Sequence, residues 1–376
     1  MSIHVIAKPI GPVCNLNCAY CFYLEKEKLF PKNEDFRMSD EILSAFIRQY
    51  IEAQPHPEVE FVWQGGEPTL LGIDFFRRVI ELQKQYQKDK TIRNCLQTNG
   101  VLLNDEWCEF LRQNEFLVGI SLDGPKEVHD LYRLDGTGKG TFDSVLKGLH
   151  LLKKHGVEFN VLACVARETA KKPLEVYHFF KAEGVEFVQF TAVVERDAVS
   201  VEPESYGDFL NRIFDEWIRQ DVGKVFVMNF DWALNAWVFR QTPICLFSET
   251  CGRSLVIEHN GDVYACDHFV YPDHRLGNIM DRHLKDLVEL PQQKQFGLAK
   301  AELPEYCKNC RYLFACRGEC PKRRFGRSPY GGSGLNFLCA GYKKYFQHIT
   351  RYMNAMREIL EQGRPVSDIM KEEGKE

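Results

Sequence analysis

Short apolar segments alternate with amphipathic segments over the first half of the chain. Runs of apolar and β-branched residues predict strands at Ile3–Lys8, Val59–Trp63, Ile92–Gln97, Leu117–Leu122, Phe159–Val165 and Phe187–Thr191. Apolar residues that recur with a period near 3.6 predict helices between them, at Asp40–Gln54, Phe75–Tyr86, Asp105–Gln113, Phe142–His155 and Pro173–Glu183. Strand-then-helix units in this order predict an α/β fold with a parallel sheet.

These units leave two architectures open. A partial barrel and an open doubly wound sheet both fit, because six units are too few for a closed eight-stranded barrel. In both architectures ligands bind at the C-terminal ends of the strands. Functional residues are therefore expected in the loops that follow the strands.

The pattern changes after about Thr191. A helix is predicted at Tyr206–Gln220, and a hairpin is predicted at Ser254–Glu258 and Asp262–Ala265 because turn residues join these segments. A last helix is predicted at Gly341–Gln362, followed by a polar tail. The second half of the chain is therefore not expected to continue the alternating strand-and-helix units of the first half.

Composition and charge limit the classes of function. The chain has 376 residues, of which 44% are hydrophobic and 27% are charged, and its net charge is -5. A net negative charge disfavours broad attraction to nucleic acid or to an anionic membrane. No apolar run approaches the ~20 residues that span a bilayer, and no signal segment precedes the first strand. We therefore expect a cytoplasmic protein, with a solvated loop at the basic cluster Lys322, Arg323, Arg324 and Arg327.

The 14 cysteines are unusual for a cytoplasmic chain, because a reducing compartment disfavours disulfides. Three of them, Cys14, Cys18 and Cys21, form a Cys-x3-Cys-x2-Cys group directly after the first strand. A [4Fe–4S] cubane normally takes four cysteines, so three would leave one iron open for an exogenous ligand. A zinc site with a distant fourth ligand is the alternative.

The segment from Cys14 to Cys21, with Tyr20 before its last cysteine, resembles the CxxxCxxC signature of the radical SAM superfamily. The resemblance implies that S-adenosylmethionine (SAM) binds the open iron through its amino and carboxylate groups. Reduction would then split SAM into methionine and a 5′-deoxyadenosyl radical. The resemblance also implies a partial (β/α)6 TIM-like barrel.

Further segments resemble SAM contacts of the superfamily. Gly66 and Glu67, in the turn after the second strand, resemble the site for the SAM amino group, and Ser121 resembles a ribose contact. Arg133 resembles a carboxylate contact, which suits a guanidinium fork. Val194 lies where the family packs an apolar residue near the adenosyl group. The resemblance thus implies the SAM-binding set Tyr20, Gly66, Glu67, Ser121, Arg133 and Val194; without it, Gly66-Glu67 could be only a tight turn and Arg133 a surface ion pair.

Eight further cysteines lie between Cys245 and Cys339. Eight thiolates suit two complete [4Fe–4S] clusters, and two or three zinc sites are the alternative. Their spacing resembles the SPASM extension of radical SAM enzymes that modify peptides and proteins. The resemblance implies one cluster on Cys245, Cys251, Cys266 and Cys320, and another on Cys307, Cys310, Cys316 and Cys339. We expect the remaining cysteines, Cys95, Cys108 and Cys164, to be small buried residues.

The resemblance extends over nearly the whole chain to the anaerobic sulfatase-maturating enzymes. These enzymes oxidise a cysteine or serine of a sulfatase to Cα-formylglycine. The implied partners are a sulfatase polypeptide and an electron donor such as flavodoxin or ferredoxin. The implied catalytic base is Asp267, directly after Cys266, and Tyr23, Gln64 and Gln97 are expected to line the substrate pocket.

The resemblance implies a radical SAM domain at residues 1–230, a SPASM domain at 231–345, and a C-terminal helix with a polar tail at 346–376. Two other functions stay open. One is a different SPASM enzyme that crosslinks or epimerises a precursor peptide, and the other is a zinc-stabilised binding protein. Metal analysis separates the last, because three cubanes hold about twelve irons.

Overall fold

The computed structural model describes residues 3–195 and 199–373. Residues 1–2, 196–198 and 374–376 lie outside the described part, and with them the end of the expected polar tail. The strands are β1 His4–Lys8, β2 Glu58–Trp63, β3 Thr91–Thr98, β4 Phe116–Ser121, β5 Phe159–Val165, β6 Phe187–Ala192, β7 Phe226–Val227, β8 Ser254–Glu258, β9 Asp262–Tyr264, β10 Arg275–Asn278, β11 Gly326–Arg327 and β12 Ser333–Leu335.

Helices separate most of these strands. They are α1 Asp40–Ala53, α2 Ile73–Tyr86, α3 Asp105–Gln113, α4 Lys126–His129, α5 Phe142–His155, α6 Pro173–Ala182, α7 Pro203–Gln220, α8 Met228–Phe239, α9 Leu284–Val288, α10 Pro291–Ala299, α11 Glu305–Lys308, α12 Leu313–Cys316, α13 Cys339–Glu361 and α14 Ile369–Glu373. All six predicted strands and all predicted helices are present, with bounds that differ by a few residues at most.

The chain divides into two compact units. The first comprises Met1–Ser121, Asp130–Phe159 and Cys251–Ala299, and the second comprises Leu122–His129, Asn160–Thr250 and Lys300–Glu376. Both units draw on both halves of the sequence. The domain boundaries expected from the sequence stay a prediction.

The first unit contains a sheet in the order β10-β9-β8-β1-β2-β3-β4. Strands β1 to β4 are parallel, as expected, and β8 also lies parallel to β1 over five residue pairs, from His4–Ser254 to Lys8–Glu258. Strands β9 and β10 continue the sheet in antiparallel order. The hairpin of the cysteine-rich half therefore extends the sheet of the first strands, and it places the end of β8 beside the end of β1.

Aromatic packing forms the core behind this sheet. The ring of Trp63 on β2 packs against the rings of Phe46 and Phe76 from α1 and α2, and all three side chains are fully buried. Trp63 donates its indole N–H to the Asn94 side chain on β3 at 2.9 Å. A buried indole needs such a partner, so this contact fixes the first strands relative to their helices.

The second unit contains β5, β6 and β7 as parallel neighbours. Helices α7 and α13 cross closely here, since a Cβ on Gly341 would lie 1.9 Å from the Pro203 carbonyl oxygen. Helix α8 was not predicted from the sequence. Its apolar residues, such as Phe230 and Trp237, are not confined to one face, and Asn229, Asp231 and Asn235 lie among them, so the sequence shows no clear amphipathic period.

The pKa of Asp231, on α8, can be used to test whether this carboxyl group is buried. Burial raises the pKa of Asp231 to about 6 from its ordinary 3.8. Between these pH values the folded chain holds a proton that the unfolded chain has lost, so stability falls as pH rises through this window. We expect Asp231→Asn to stabilise the protein above about pH 6 by at most about 3 kcal/mol, and to have little effect near pH 4.

Thermal unfolding of anaerobic holoprotein between pH 4 and pH 8 measures this difference. Asp89→Asn is the control, because Asp89 is exposed and an exposed carboxyl has little pKa-linked stability to lose. Equal stability of the Asp231 variant and the wild type across the whole range would show that the carboxyl is not desolvated.

Candidate active site

The cysteine loop comprises residues 14–21 and follows β1. Backbone bonds pin it to the segment before α5: Asn17 N–H donates to the Leu134 carbonyl at 2.7 Å, and Ala19 N–H donates to the Tyr132 carbonyl at 2.8 Å. The end of β3 also supports the loop, because the Asn99 amide donates to the Asn15 side chain at 2.7 Å. The loop is therefore held by the end of β3 and by the segment between α4 and α5.

The thiols of this loop influence one another. Burial raises the pKa of Cys14 to about 12, and nearby Glu67, Cys18 and Cys21 raise it further against the opposing effect of a backbone N–H from Leu16. At neutral pH these thiols lose their protons only when a cationic metal centre binds among them and stabilises the thiolates. The three cysteines fit an iron–sulfur cluster in their chemistry and in their mutual proximity.

Gly66 packs directly against the approach to the cysteine loop. Its N–H donates to the Gly11 carbonyl at 2.7 Å, and the following Glu67 N–H donates to the Val13 carbonyl at 2.9 Å. A Cβ on Gly66 would lie 1.9 Å from the Val13 carbonyl oxygen. The glycine is therefore needed for a close approach of two backbones, in addition to its expected role beside SAM.

We expect Gly66→Ala to displace the cysteine loop. A methyl group at this distance from a carbonyl oxygen forces the backbone to move, and overpacking of this kind costs about 1–3 kcal/mol. The measurement is iron content and thermal stability after anaerobic reconstitution, both of which should fall. Gly136→Ala is the matched control, because no atom lies within 4 Å of its Cβ position, and a variant of Gly66 with full iron content would contradict this reading.

Glu67 is buried and fully engaged inside the first unit. One carboxylate oxygen accepts bonds from Thr69 N–H at 3.0 Å, Thr69 Oγ1 at 2.6 Å and Thr98 Oγ1 at 2.8 Å, and the other accepts from Asn99 N–H at 2.7 Å. Burial raises the pKa of Glu67, against these bonds. The carboxylate thus ties the end of β2 to the end of β3; its contact with SAM stays a prediction.

Two other residues of the first unit that are predicted to bind SAM are Arg133, which lies near the cysteine loop, and Ser121. The Arg133 guanidinium lies 5.4 Å from the centre of the Tyr20 ring, and Tyr20 also contacts Tyr132 at 5.8 Å between ring centres. Ser121, at the end of β4, accepts a bond from the Gln97 amide at 3.0 Å. Arg133 is 6% exposed, so the alternative of a surface ion pair does not describe it. Val194 is buried in the second unit.

Asp267 follows Cys266, whose backbone is extended, and is the first residue of a short 3-10 helix, Asp267–Phe269. Its carboxylate pairs with the Lys8 ammonium at 2.5 Å, and the Lys8 side chain is 1% exposed whereas that of Asp267 is 15% exposed. Burial by itself would raise the pKa of Asp267, but the charges of Lys8 and His268 outweigh it and lower the pKa. The pair therefore keeps Asp267 as a carboxylate, the form that accepts a proton.

Tyr23 closes this network on the other side of Lys8. The Lys8 ammonium lies 3.9 Å from the centre of the Tyr23 ring, and the Tyr23 hydroxyl donates to the carboxylate of Glu258 at the end of β8. Burial and the neighbouring Glu258 charge raise the pKa of Tyr23 well above its ordinary value. Tyr23 is 3% exposed and packs with Val256 and Val270. Its hydroxyl is thus already engaged, and the pocket role predicted for Tyr23, Gln64 and Gln97 stays a prediction.

Sequence reasoning did not find Lys8 or Glu258. Both are charged residues at the ends of otherwise apolar strands, and both are fully buried. Charged residues are almost never buried unless they are paired. A charged residue at the end of an apolar strand was therefore the sequence feature that could have pointed to Lys8 and Glu258. Their proximity, however, depends on the parallel pairing of β8 with β1.

The second cysteine set converges inside the second unit. Cys307, Cys310, Cys316 and Cys339 line one small cavity together with aromatic side chains such as Tyr312 and Phe346. Burial and the neighbouring Cys307 raise the pKa of Cys339 to about 11, and burial and Cys339 raise the pKa of Cys316. An apolar cavity with four mutually close thiols fits a cubane with four cysteine ligands.

The other auxiliary set is divided between the two units. Cys245 and Cys320 belong to the second unit, in which burial, Glu319 and Cys245 raise the pKa of Cys320 to about 11 against the effect of a backbone N–H and Arg323. Cys251 and Cys266 belong to the first unit. There the Gln293 amide donates to the Gly252 carbonyl at 2.9 Å and the Ala265 carbonyl at 3.0 Å. Each pair is thus held locally, and the joint ligand set stays a prediction.

The described residues contain no group of three His, Cys, Asp or Glu side chains placed to hold a single metal ion. The ligands of a cubane each bind a different iron, so they need not converge in that way. Of the three other cysteines, Cys108 is buried, and Cys95 and Cys164 are half-buried.

The expected solvated loop is wrong for two of its basic residues. Arg323 pairs with the buried Glu319 at 2.9 Å and donates to the Ala192 carbonyl. Arg324 donates to several backbone carbonyls, including that of Lys300 at 2.7 Å. A guanidinium has five donors in a rigid fork, so both residues hold the cysteine-bearing segment in place instead of pointing into water.

Within the described ranges, no helix combines the length and the apolar character needed to cross a membrane. The groups assembled at the strand ends are cysteines, a buried carboxylate network and a pair of aromatic residues beside a guanidinium. Of these groups, the sequence patterns singled out the cysteines, Glu67, Asp267, Tyr20, Tyr23 and Arg133.

Comparison with known families agrees with this chemistry. The family model of the radical SAM superfamily matches residues 9–180, and the model of an iron–sulfur cluster-binding domain, SPASM, matches residues 245–311. The two matches contain the cysteine loop and most of the later cysteines. They support [4Fe–4S] clusters and SAM as the cofactors.

Individual relatives match over nearly the full length. A serine-type anaerobic sulfatase-maturating enzyme of Bacteroides thetaiotaomicron is 46% identical over 98% of this chain and 94% of its own. A cysteine-type enzyme of Clostridium perfringens is 35% identical over 95% of this chain and 99% of its own. The solved structure of native anSMEcpe with bound AdoMet and Cp18Cys peptide is 33% identical, with a TM-score of 0.88, and covers 96% of this chain and 100% of that one.

The fold prediction of a partial barrel with a C-terminal SPASM region is confirmed by these matches. Of the two architectures that periodicity left open, the open doubly wound sheet is thereby excluded. Identity above 30% over almost the entire length decides the family. The chain belongs to the anaerobic sulfatase-maturating enzymes of the radical SAM superfamily.

Proposed function

We propose that this protein oxidises a cysteine or serine side chain of a sulfatase polypeptide to Cα-formylglycine in the cytoplasm, with a flavodoxin or ferredoxin as electron donor. The observation that carries the proposal is the ion pair between the buried Lys8 and Asp267. Asp267 directly follows Cys266, a proposed cluster ligand, in a chain whose relatives are sulfatase-maturating enzymes.

The residues of the first unit hold the cofactors in this proposal. Cys14, Cys18 and Cys21 bind three irons of one cluster, and the remaining iron is open to SAM. Tyr20, Gly66, Glu67, Ser121 and Arg133, with Val194 of the second unit, bind SAM. When bound, the clusters and SAM supply the radical that removes a hydrogen atom from Cβ of the substrate and the acceptor for the second electron.

Asp267 acts as the base in this proposal. It accepts the proton of the substrate thiol or hydroxyl, while the hydrogen atom leaves Cβ by the radical route. Loss of one proton, one hydrogen atom and one electron accounts for the two-electron oxidation of the side chain. A serine gives the aldehyde directly, whereas a cysteine gives a thioaldehyde, which water converts to the aldehyde with release of hydrogen sulfide. A positioned base of this kind contributes about 10²–10⁴-fold to the rate.

Lys8 orients that base. Its ammonium is held between the Asp267 carboxylate and the Tyr23 ring, which gives the carboxylate one fixed partner. The Asp267 side chain is 15% exposed, so part of it stays accessible. An isolated carboxylate in a buried site would take up a proton. The lysine therefore keeps Asp267 ready to accept the substrate proton.

The test is anaerobic incubation of reconstituted enzyme with SAM, a reductant and peptides of the Cys/Ser-x-Pro-x-Arg type. Aldehyde formation is followed by mass and by hydrazide capture, and the same peptide with alanine at the reactive position is the control. We expect the serine peptide to react, because the relative with 46% identity is a serine-type enzyme. SAM cleavage without aldehyde in either peptide, or a crosslinked or epimerised product, would refute the proposal.

A further inference from the structure

An open groove adjoins the cavity of the second cysteine set. The groove has a volume of about 540 Å³, and Tyr306, Cys310, Tyr312 and Lys343 line both it and the cysteine cavity. All of these residues belong to the second unit. A molecule seated in the groove would therefore contact the walls that enclose the proposed cluster.

The groove presents positive charge and aromatic rings. Arg311 is exposed, and the Lys343 ammonium donates to the Tyr306 hydroxyl at 2.7 Å and lies 3.9 Å from the centre of its ring. The acidic residue among those that line the groove, Glu305, pairs with Lys308 at 2.6 Å. The charged groups of the groove that remain for a binding partner, Arg311 and Lys343, are therefore positive.

Tyr330 adds an aromatic wall that is open to solvent. Its side chain is 86% exposed, and its ring lies 5.8 Å from that of Tyr306 in an edge contact at 70°. Aromatic side chains and arginine are enriched in protein interfaces, and this groove presents both kinds of side chain to solvent. The edge pair suits contact with the rim of a planar, partly apolar ring system.

We propose that this groove docks an acidic flavodoxin, which passes one electron from its reduced flavin to the cluster held by Cys307, Cys310, Cys316 and Cys339. The transfer breaks and forms no bond: the flavin is oxidised by one electron and the cluster is reduced by one. This inference rests on the proposed function, which requires an electron donor. Basic residues at the rim attract an acidic partner, and the tyrosine pair receives the flavin edge.

Direct binding tests the inference. Anaerobic holoenzyme is titrated with a purified flavodoxin by calorimetry at low and high salt, since attraction between exposed charges weakens as salt rises. We expect salt-dependent binding by the wild type, and affinity about tenfold lower for Arg311→Glu and for Tyr330→Ala. Arg212→Glu is the matched control, because Arg212 is exposed and does not line the groove.

Aldehyde formation driven by a chemical reductant separates this inference from the proposed function. The variants should keep wild-type activity with dithionite and wild-type iron content, and lose activity with flavodoxin as the reductant. Wild-type flavodoxin affinity in both groove variants would overturn the inference, and so would binding of an acidic ferredoxin in preference to flavodoxin. Failure of the dithionite reaction in the wild type would count against the proposed function instead.

Discussion

Asp267→Asn should abolish aldehyde formation while SAM cleavage continues. Asparagine has nearly the same shape as aspartate but does not accept a proton, so the deprotonation of the substrate is lost. The variant also removes the charge that pairs with the buried Lys8, so its thermal stability is measured beside its activity. The expected decrease in the rate of aldehyde formation is about 10²–10⁴-fold, the usual contribution of a positioned base. Quantifying 5′-deoxyadenosine and peptide aldehyde in the same reaction separates the two steps.

The control for this variant is Asp273→Asn. Asp273 lies in the same segment but is exposed, so its replacement should leave both products at wild-type levels. Iron content of both variants must match the wild type, because Asp267 is adjacent to a proposed cluster ligand. Undiminished aldehyde formation by the Asp267 variant would refute its assignment as the base.

Replacing Cys14, Cys18 and Cys21 together by alanine should remove all SAM cleavage. The three thiols are the proposed ligands of the cluster that binds SAM, and no reductive cleavage can start without it. Iron content should fall by about four atoms per chain, from about twelve to about eight, because one cubane is lost and two remain. Product analysis for 5′-deoxyadenosine and a colorimetric iron assay measure both effects.

Cys95→Ala is the matched control for the triple variant. Cys95 is a half-buried cysteine on β3 outside the proposed ligand sets, so its replacement should leave iron content and SAM cleavage unchanged. Zinc in place of iron in the wild-type protein, or retention of about twelve irons by the triple variant, would contradict the proposed role of the loop.

Local sequence patterns were sufficient to predict the parallel strands and their helices. Each strand of the first six is an apolar run, and helices such as α5 match their predicted bounds because one face is apolar and Gly156 ends the helix in the left-handed region. Helix α8 was missed because its apolar residues are not confined to one face, with Asn229, Asp231 and Asn235 among them. Periodicity reports a boundary between core and solvent, and a helix without such a boundary gives no period.

The site was predicted in part. Spacing and resemblance selected Cys307, Cys310, Cys316 and Cys339 as one set, and the structure brings them to one cavity. The Lys8–Asp267 pair was not predicted, because it depends on β8 lying parallel to β1. Pairing between strands more than two hundred residues apart is a tertiary property, which a local pattern does not contain.

The abstraction of hydrogen from Cβ is tested most directly with a peptide whose reactive serine carries deuterium in place of both hydrogens on Cβ. The enzyme is incubated anaerobically with this peptide, SAM and reductant, and the 5′-deoxyadenosine is analysed by mass. The account predicts that the 5′-deoxyadenosine gains deuterium from the peptide as the aldehyde forms. Aldehyde that accumulates while 5′-deoxyadenosine stays free of deuterium would contradict it.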